Sequence, residues 1–283
     1  MTAVISFATP YRVSTITCNG SIGKNVGEVY LDKLFQVIPT VTLHGEEIGF
    51  IYVIDKDGKE HKGTLHRKER RVSPKQTVEE MYKKRRFDNA ISGYYQTRDG
   101  YCPSVKIFKN GSIQMTGVKT IEDGKLLNKQ VFETMRRVIS EHPEVVQYPE
   151  AIACGEFHVR LINSDFSIPY HIRRKDLHQL LISDDYNNTS SFQPGTYPGV
   201  KLQYFWNPST GKVDGRCTCK CKCFGKGDGT GEGLCKKITI SIFESGKILI
   251  TGAIEFRQID DAYRYICEIL HKHQPTLQKT ARA

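Results

Sequence analysis

The sequence predicts an α+β protein made of two copies of one unit, each an antiparallel sheet with helices on one side. Three observations carry that expectation. The first is a hairpin written twice, as Ile107-Phe108-Lys109-Asn110-Gly111-Ser112-Ile113-Gln114-Met115-Thr116-Gly117 and as Ile242-Phe243-Glu244-Ser245-Gly246-Lys247-Ile248-Leu249-Ile250-Thr251-Gly252. Both copies follow Ile-Phe-x-x-Gly-x-Ile-x-x-Thr-Gly and lie 135 positions apart (Ile107 to Ile242), a period that implies a structural repeat. The second is a helix-like segment after each copy, Thr120 to His142 and Glu255 to His273.

The third is strand parity. Side chains alternate across a strand, so residues of one parity share a face. Ile238, Ile240, Ile242, Ile248 and Ile250 fall together, as do Val105, Ile107, Ile113 and Met115. These β-branched and apolar sets are expected to bury under the following helix. Lys106, Phe108, Gln114 and Thr116 take the opposite face in one copy, and Thr239, Ser241, Phe243, Leu249 and Thr251 in the other. A single half-covered aromatic on a sheet is ordinary. A matching phenylalanine in both copies favours a binding face.

Taken in order, Arg12 to Cys18 reads as a strand. Glu28 to Val37 carries Val29, Leu31, Leu34, Phe35 and Ile38 at near-helical spacing, closed by Pro39. Phe50 to Ile54 is a strand, Asp55-Lys56-Asp57-Gly58 a turn, and Lys62 to Leu65 a return. Phe87 to Tyr95 is a strand ahead of the first signature hairpin. The helix after that hairpin offers Leu126, Leu127, Val131, Met135, Val138 and Ile139 to a sheet. Pro143 and Pro149 punctuate the junction between the halves. Glu156 to Ile162 is the next strand, Arg174 to Ile182 a helix, Asp184 to Pro198 a loop or hairpin tip, and Val200 to Trp206 a strand. The last helix presents Ile259, Ala262, Tyr263, Ile266 and Leu270. The expected organisation is a first repeat over 11–142 with an insert at 55–86, a second over 155–273 with an insert at 207–235, and a flexible tail at 274–283.

Charge is uneven. The net value is +10, and from Lys56 to Arg86 there are 12 Lys and Arg against 5 Asp and Glu. Such an excess suits phosphate backbones or acidic partners, and it equally suits a solvated, partly disordered insert. No run reaches the roughly 18 apolar residues of a membrane span. Met-Thr-Ala-Val-Ile-Ser-Phe at the start has neither a charged n-region nor a long apolar stretch, so no secretory signal is expected. Nine cysteines without such a signal point to reduced thiols or metal and to an intracellular setting. No catalytic motif is present. His171, His178, His271 and His273 converge with no acid or nucleophile, so an enzyme is not expected.

Cys217, Cys219, Cys221 and Cys223 alternate, and Cys235 follows after a glycine-rich run. In an extended strand the four would share one face about 7 Å apart, which suits a metal only if the strand bends. Structural zinc pairs are usually spaced Cys-x2–4-Cys, so this spacing departs from the pattern. Two readings stay open: a structural zinc site using Cys223, Cys235 and two of the other three, or a glycine-tipped hairpin with unbound thiols.

The two hairpins and their following helices resemble the repeats of the TATA-binding protein family. Ser190-Ser191-Phe192-Gln193-Pro194-Gly195-Thr196-Tyr197-Pro198-Gly199 resembles that family's second stirrup, Arg85-Arg86-Phe87 its first-repeat counterpart, and Asp165 to Pro169 the stretch leading into its second-repeat helix. The inserts are foreign to the cellular proteins, and the divergence is similar to that of members encoded by large DNA viruses. The resemblance implies two pseudo-symmetric repeats forming a curved antiparallel saddle, helices on the convex side, whose concave face bends DNA from the minor groove with aromatic wedges. Carried over by position, the wedges are Phe87, Phe108, Tyr197 and Phe243, and the groove contacts are Thr116, Thr251 and Leu249, with Lys106 and Gln114 at positions where the family has small apolar residues. The family's central asparagine pair falls near Ser14 and at Val159, which weakens the expectation of TATA preference. The stirrup acids that meet transcription factor IIB are Gln193 and Gly195 here. The resemblance therefore implies a transcription initiation factor whose partners are double-stranded DNA, a transcription factor IIB-like protein and RNA polymerase, with no membrane. A virus-like member would act in the host cytoplasm, its viral factory, or the nucleus, with packaging in the virion a further option. The alternative is a saddle kept as a protein-interaction or architectural module without specific DNA binding.

Overall fold

The computed structural model describes residues 7–64, 89–208, 214–217, 219, 223 and 225–279. It divides into two compact units, one of Ile16–Val159 and one of Met1–Thr15 with Arg160–Ala283. All strand pairs in both are antiparallel, so the α+β class holds.

The first unit contains most of β1 (Arg12–Ser21), then α1 (Leu31–Val37), β2 (Gly49–Ile54), β3 (His61–Gly63), β4 (Ala90–Gln96), β5 (Ser104–Phe108), β6 (Ser112–Val118) and α2 (Ile121–Glu141). Its strands run in the order β3-β2-β4-β5-β6-β1. Val105, Ile107, Ile113 and Met115 are at most 1% exposed, and Leu127, Val131 and Met135 of α2 are fully buried with them. Tyr95 of β4 donates from its hydroxyl to the Gln130 carbonyl of α2 at 3.1 Å, which fixes the helix-covered face.

The second unit contains β7 (His158–Ser167, from Arg160 onward), α3 (Arg174–Ile182), β8 (Thr189–Ser191), β9 (Val200–Trp206), β10 (Lys236–Ile242), β11 (Lys247–Ala253), α4 (Phe256–Lys272) and α5 (Gln274–Leu277). Its strands run β7-β11-β10-β9-β8. The five isoleucines of the signature hairpin are all fully buried. Phe166 against Tyr263, with ring centroids 4.7 Å apart, and Tyr204 against Tyr265, 5.2 Å apart, show α4 lying on that side.

The signature spells its own geometry. The loops of three residues after Phe108 and Phe243 end in Gly111 and Gly246 at φ +78° and +81°, the arrangement a right-twisted hairpin closes with. A Cβ on Gly246 would sit 2.6 Å from the Ile168 carbonyl oxygen, so packing as well as φ demands glycine. The closing Thr-Gly is a bulge. Register slips between Ile16 and Thr17 opposite Gly117, and between Ile250 and Ala253 at Gly252.

Three findings differ from the sequence reading. The loop at Asp184 to Pro198 contains the short strand β8, paired with Gln203, Leu202 and Lys201. Leu126 is 52% exposed, because it sits at the edge of the α2 stripe whose centre Leu127 occupies. The tail does not fray at Gln274: Leu277 is 1% exposed and its carbonyl accepts from the Arg173 amide at 2.7 Å. Apolar burial of one leucine holds that turn in place. The basic insert lies outside the described residues from Leu65 to Arg86.

Candidate nucleic-acid interface and cysteine cluster

In each unit the sheet face turned away from its helix carries the polar and aromatic half of the hairpin. In the first unit Lys106, Phe108 and Gln114 are half-buried and Thr116 is exposed on it. Burial lowers the Lys106 ammonium below its ordinary pKa. Lys106 stands opposite Gln114 across β5–β6 and opposite Ser92 across β4–β5. Tyr52 and Tyr94 lie further along the sheet, with ring centroids 6.5 Å apart. Phe87 lies outside the described residues.

In the second unit Phe243, Leu249 and Thr251 are half-buried on the equivalent face. Tyr197 meets Phe243 at 5.8 Å between centroids, and Lys201 places its Nζ 4.1 Å from the Tyr197 ring centre. The sequence-predicted pair Tyr197 and Phe243 is thus brought together. Gly199 makes room for it, because a Cβ there would fall 2.9 Å from Tyr197 and 3.2 Å from Phe243. The loop around Tyr197 is tied down by Arg174, the first residue of α3. Its guanidinium donates to the Pro198 carbonyl and to Glu244 at 2.6 Å, and it lies 5.3 Å from the Phe192 ring centre.

Sequence reasoning missed several groups on these faces. Asp165 shares the parity of Leu249, its β11 neighbour, and is only 4% exposed. Arg12 Nε donates to it at 2.9 Å, and Lys247 Nζ also donates. Burial would raise the Asp165 carboxyl, but the hydrogen bonds from Lys247 and Arg12 outweigh it and hold the pKa below the ordinary value. Asn19 stands opposite Gln114, and Asn163 shares the parity of Asp165. The Oδ1 of each has no hydrogen-bond partner among the described residues. Both asparagines lie further along their strands than Ser14 and Val159, so a motif search at the family positions passes them by. Alternation along Arg12–Ser21 and His158–Ser167 was the available signal.

The cysteines form a second locus. Cys217, Cys219, Cys223 and Cys235 converge with all four Sγ atoms within 4.8 Å of one another. Cys221 lies outside the described residues. The Gly227 amide donates to Cys223 Sγ at 3.2 Å, and this backbone bond is the main reason the Cys223 pKa falls to about 7. Burial pushes Cys217 and Cys235 upward. The cluster could hold a metal ion.

No helix among the described residues is long and apolar enough to cross a membrane. A family profile described as "Transcription factor TFIID (or TATA-binding protein, TBP)" matches residues 232–273, which cover the second hairpin and α4. The chain is 30% identical over 175 residues to the "TATA-box-binding protein-like" protein of Acanthamoeba polyphaga mimivirus, covering 60% of this chain and 43% of that one. It is 22% identical over 189 residues to "TATA-box-binding protein 2" of Entamoeba histolytica, covering 67% and 66%. The chain thus spans less than half the length of the viral relative and just under two thirds of the amoebal one. Among solved structures, Methanococcus jannaschii TBP superposes with a TM-score of 0.48 at 12% identity, over 93% of this chain and 99% of that one.

Proposed function

From its similarity to TATA-box-binding-protein-like proteins, we propose that the open sheet faces bind double-stranded DNA from the minor groove and bend it, as part of transcription initiation. One observation carries the reading: Phe108 and Phe243 occupy the same position in two copies of one hairpin, half-exposed on the face opposite the buried isoleucines. A core residue has no reason to recur there. An aromatic ring at the rim of a polar sheet can enter between base pairs and unstack them.

The neighbouring chemistry fits. Lys106, Lys201 and Lys247 supply positive charge to the two faces, and amides of Gln114 and Asn19 can donate to the N3 and O2 acceptors of the minor groove. Thr116 and Thr251 add small, partly apolar contacts. The minor groove separates A·T from G·C poorly by hydrogen bonding, so preference is set by deformability as well as by contact. We assign no enzymatic role. A transcription factor IIB-like protein and RNA polymerase are the partners this reading implies. Exposed Gln193 and Gly195, where the family has acids, argue that any such contact differs in charge from the cellular one.

The test uses A·T-rich and G·C-rich duplexes carrying a fluorophore at each end. Energy transfer is expected to rise on A·T-rich DNA with the full chain and to be lost with Phe108→Ala/Phe243→Ala. Removing two stacked rings should also weaken binding by about 1–3 kcal/mol per ring. Binding without bending, unchanged in the double variant, would sink the proposal and favour a protein-binding role for the same faces.

A further inference from the structure

The cysteine cluster has the dimensions of a metal site. Cys235 Sγ lies 3.5 Å from Cys217, 3.4 Å from Cys219 and 3.3 Å from Cys223, and Cys217 lies 3.8 Å from Cys223. A zinc–sulfur bond of about 2.3 Å in a tetrahedron sets ligand sulfurs about 3.8 Å apart. A disulfide needs about 2.05 Å, so none of these pairs is one. Three of the residues come from the middle of the 207–235 insert and the fourth, Cys235, from its end, and the run 225–235 lies against the other three.

The backbone is arranged for thiolates. Gly227 donates its amide to Cys223 Sγ at 3.2 Å, and Gly233 donates to Cys219 Sγ at 3.3 Å. Amides aimed at sulfur offset negative charge on it, which neutral packed thiols do not require. Gly231 lies so close that a Cβ would sit 2.5 Å from the Cys223 Cβ. The glycine run therefore lets the loop wrap the sulfurs. The Gly227 carbonyl also accepts from the Lys237 amide at 2.7 Å, and Asp228 pairs with Lys236 in an isolated β-bridge, so the loop is laid along the start of β10.

We propose that Cys217, Cys219, Cys223 and Cys235 bind one Zn²⁺ in an all-thiolate tetrahedron that fastens the β9–β10 insert to the second sheet. Four sulfur donors select a thiophilic ion over Mg²⁺ or Ca²⁺. With four protein ligands the ion keeps no open position, so the role is structural. Cys223 and Cys235 are buried and Cys217 and Cys219 half-buried, which shields the site without preventing loading.

The position gives the metal a purpose. Cys223 and Cys235 pack with Phe205, which is 5% exposed. Tyr204, the preceding residue, points to α4, so Phe205 points to the open face. Lys237, its partner across β9–β10, has the parity of Thr239 and Phe243. The metal knuckle thus covers one apolar residue of the open face and terminates the polar strip there. Holding the insert also holds Lys226 and Lys237 at that end of the sheet. Metal binding displaces the remaining thiol protons to solvent and needs no oxidant.

The experiment is elemental analysis of the purified full chain alongside thiol titration. About one zinc per chain is expected, with the four cluster thiols slow to react until a chelator is added. Cys223→Ser and Cys235→Ser should each reduce zinc at least tenfold. Cys102→Ser and Cys154→Ser, outside the cluster, should leave it unchanged. Should the cluster variants fail to fold, chelator-stripped wild type titrated with Co²⁺ decides. The intense visible absorption of tetrahedral cobalt thiolate, saturating at about one equivalent, supports the site. Folded protein with neither zinc nor that absorption overturns it, as does a cobalt spectrum that survives Cys223→Ser. None of these outcomes depends on DNA binding.

Discussion

Asp165 is an acid on a face whose other charges are positive, and its environment explains why it is tolerated. Its carboxylate is buried beneath Arg12 and Lys247, whose side chains are 77% and 39% exposed. The two cations keep the carboxyl ionised below its ordinary 3.8. A depressed carboxyl contributes stability that is fully present above the unfolded pKa and is lost as pH falls through the lower folded value. Because both cations remain solvated, the contribution is modest, about 1 kcal/mol after screening. Asp165→Asn should lower stability in urea by that amount near neutral pH. The difference from wild type should shrink as pH falls below the ordinary 3.8. An unchanged gap at acid pH would mean that the substituted amide disturbs packing rather than charge. None of this was legible from the stretch Asp165 to Pro169, because Arg12 and Lys247 stand 153 and 82 residues away and meet Asp165 only through strand pairing. The cysteine geometry was hidden for the same reason. Alternating cysteines read as an extended strand, whereas Cys217, Cys219 and Cys223 bring their sulfurs within 4.8 Å of one another and of Cys235.

At the scale of elements the sequence was far more legible, because the signals are local. Helix α3 begins and ends where periodicity puts it, and α2 and α4 fall within a residue of expectation. The buried isoleucines followed parity alone. What sequence did not anticipate depended on a tertiary partner: β8 exists through its pairing with β9, and α5 through the burial of Leu277. The two long helices also start differently despite the repeat. Thr120 accepts from the Asp123 amide through Oγ1 at 3.0 Å, an N-cap in the usual sense. Glu255 makes no such bond with its side chain, and Gln258 instead reaches back to accept from the Ile254 amide at 2.9 Å. Thr120→Ala should therefore cost about 1 kcal/mol in denaturant unfolding, whereas Glu255→Ala should cost little. Gln258→Ala is the matching loss for α4. Equal effects of Thr120→Ala and Glu255→Ala would show that the caps do not divide in this way.

At the scale of the molecule, charge decides between a DNA-binding protein and a scaffold. The chain carries +10, and its densest cationic stretch, Lys56 to Arg86, belongs to an insert rather than to the sheets. A nucleic-acid binder releases counterions as it neutralises phosphates, so its affinity falls linearly with salt on logarithmic axes, with a slope of about −0.9 per phosphate on duplex DNA. A scaffold without DNA affinity has no such slope. Replacing residues 65–84 by a short glycine-serine linker removes seven Lys and Arg with three Asp and Glu and leaves Arg85, Arg86 and Phe87 in place. Loop length costs little in closure entropy, so the sheets should fold as before. The expected result is a slope shallower by about 0.9 for each phosphate the insert had neutralised, with energy transfer on bound A·T-rich DNA unchanged. That division follows from where the groups sit: the proposed wedges Phe108 and Phe243 belong to the signature hairpins, and the densest charge to the insert. Were bending lost along with the slope, the insert would be positioning the duplex on the sheets. Were the slope unchanged, the phosphates would be met by the cations of the sheets themselves, Lys106, Lys201, Lys247 and Arg12 among them.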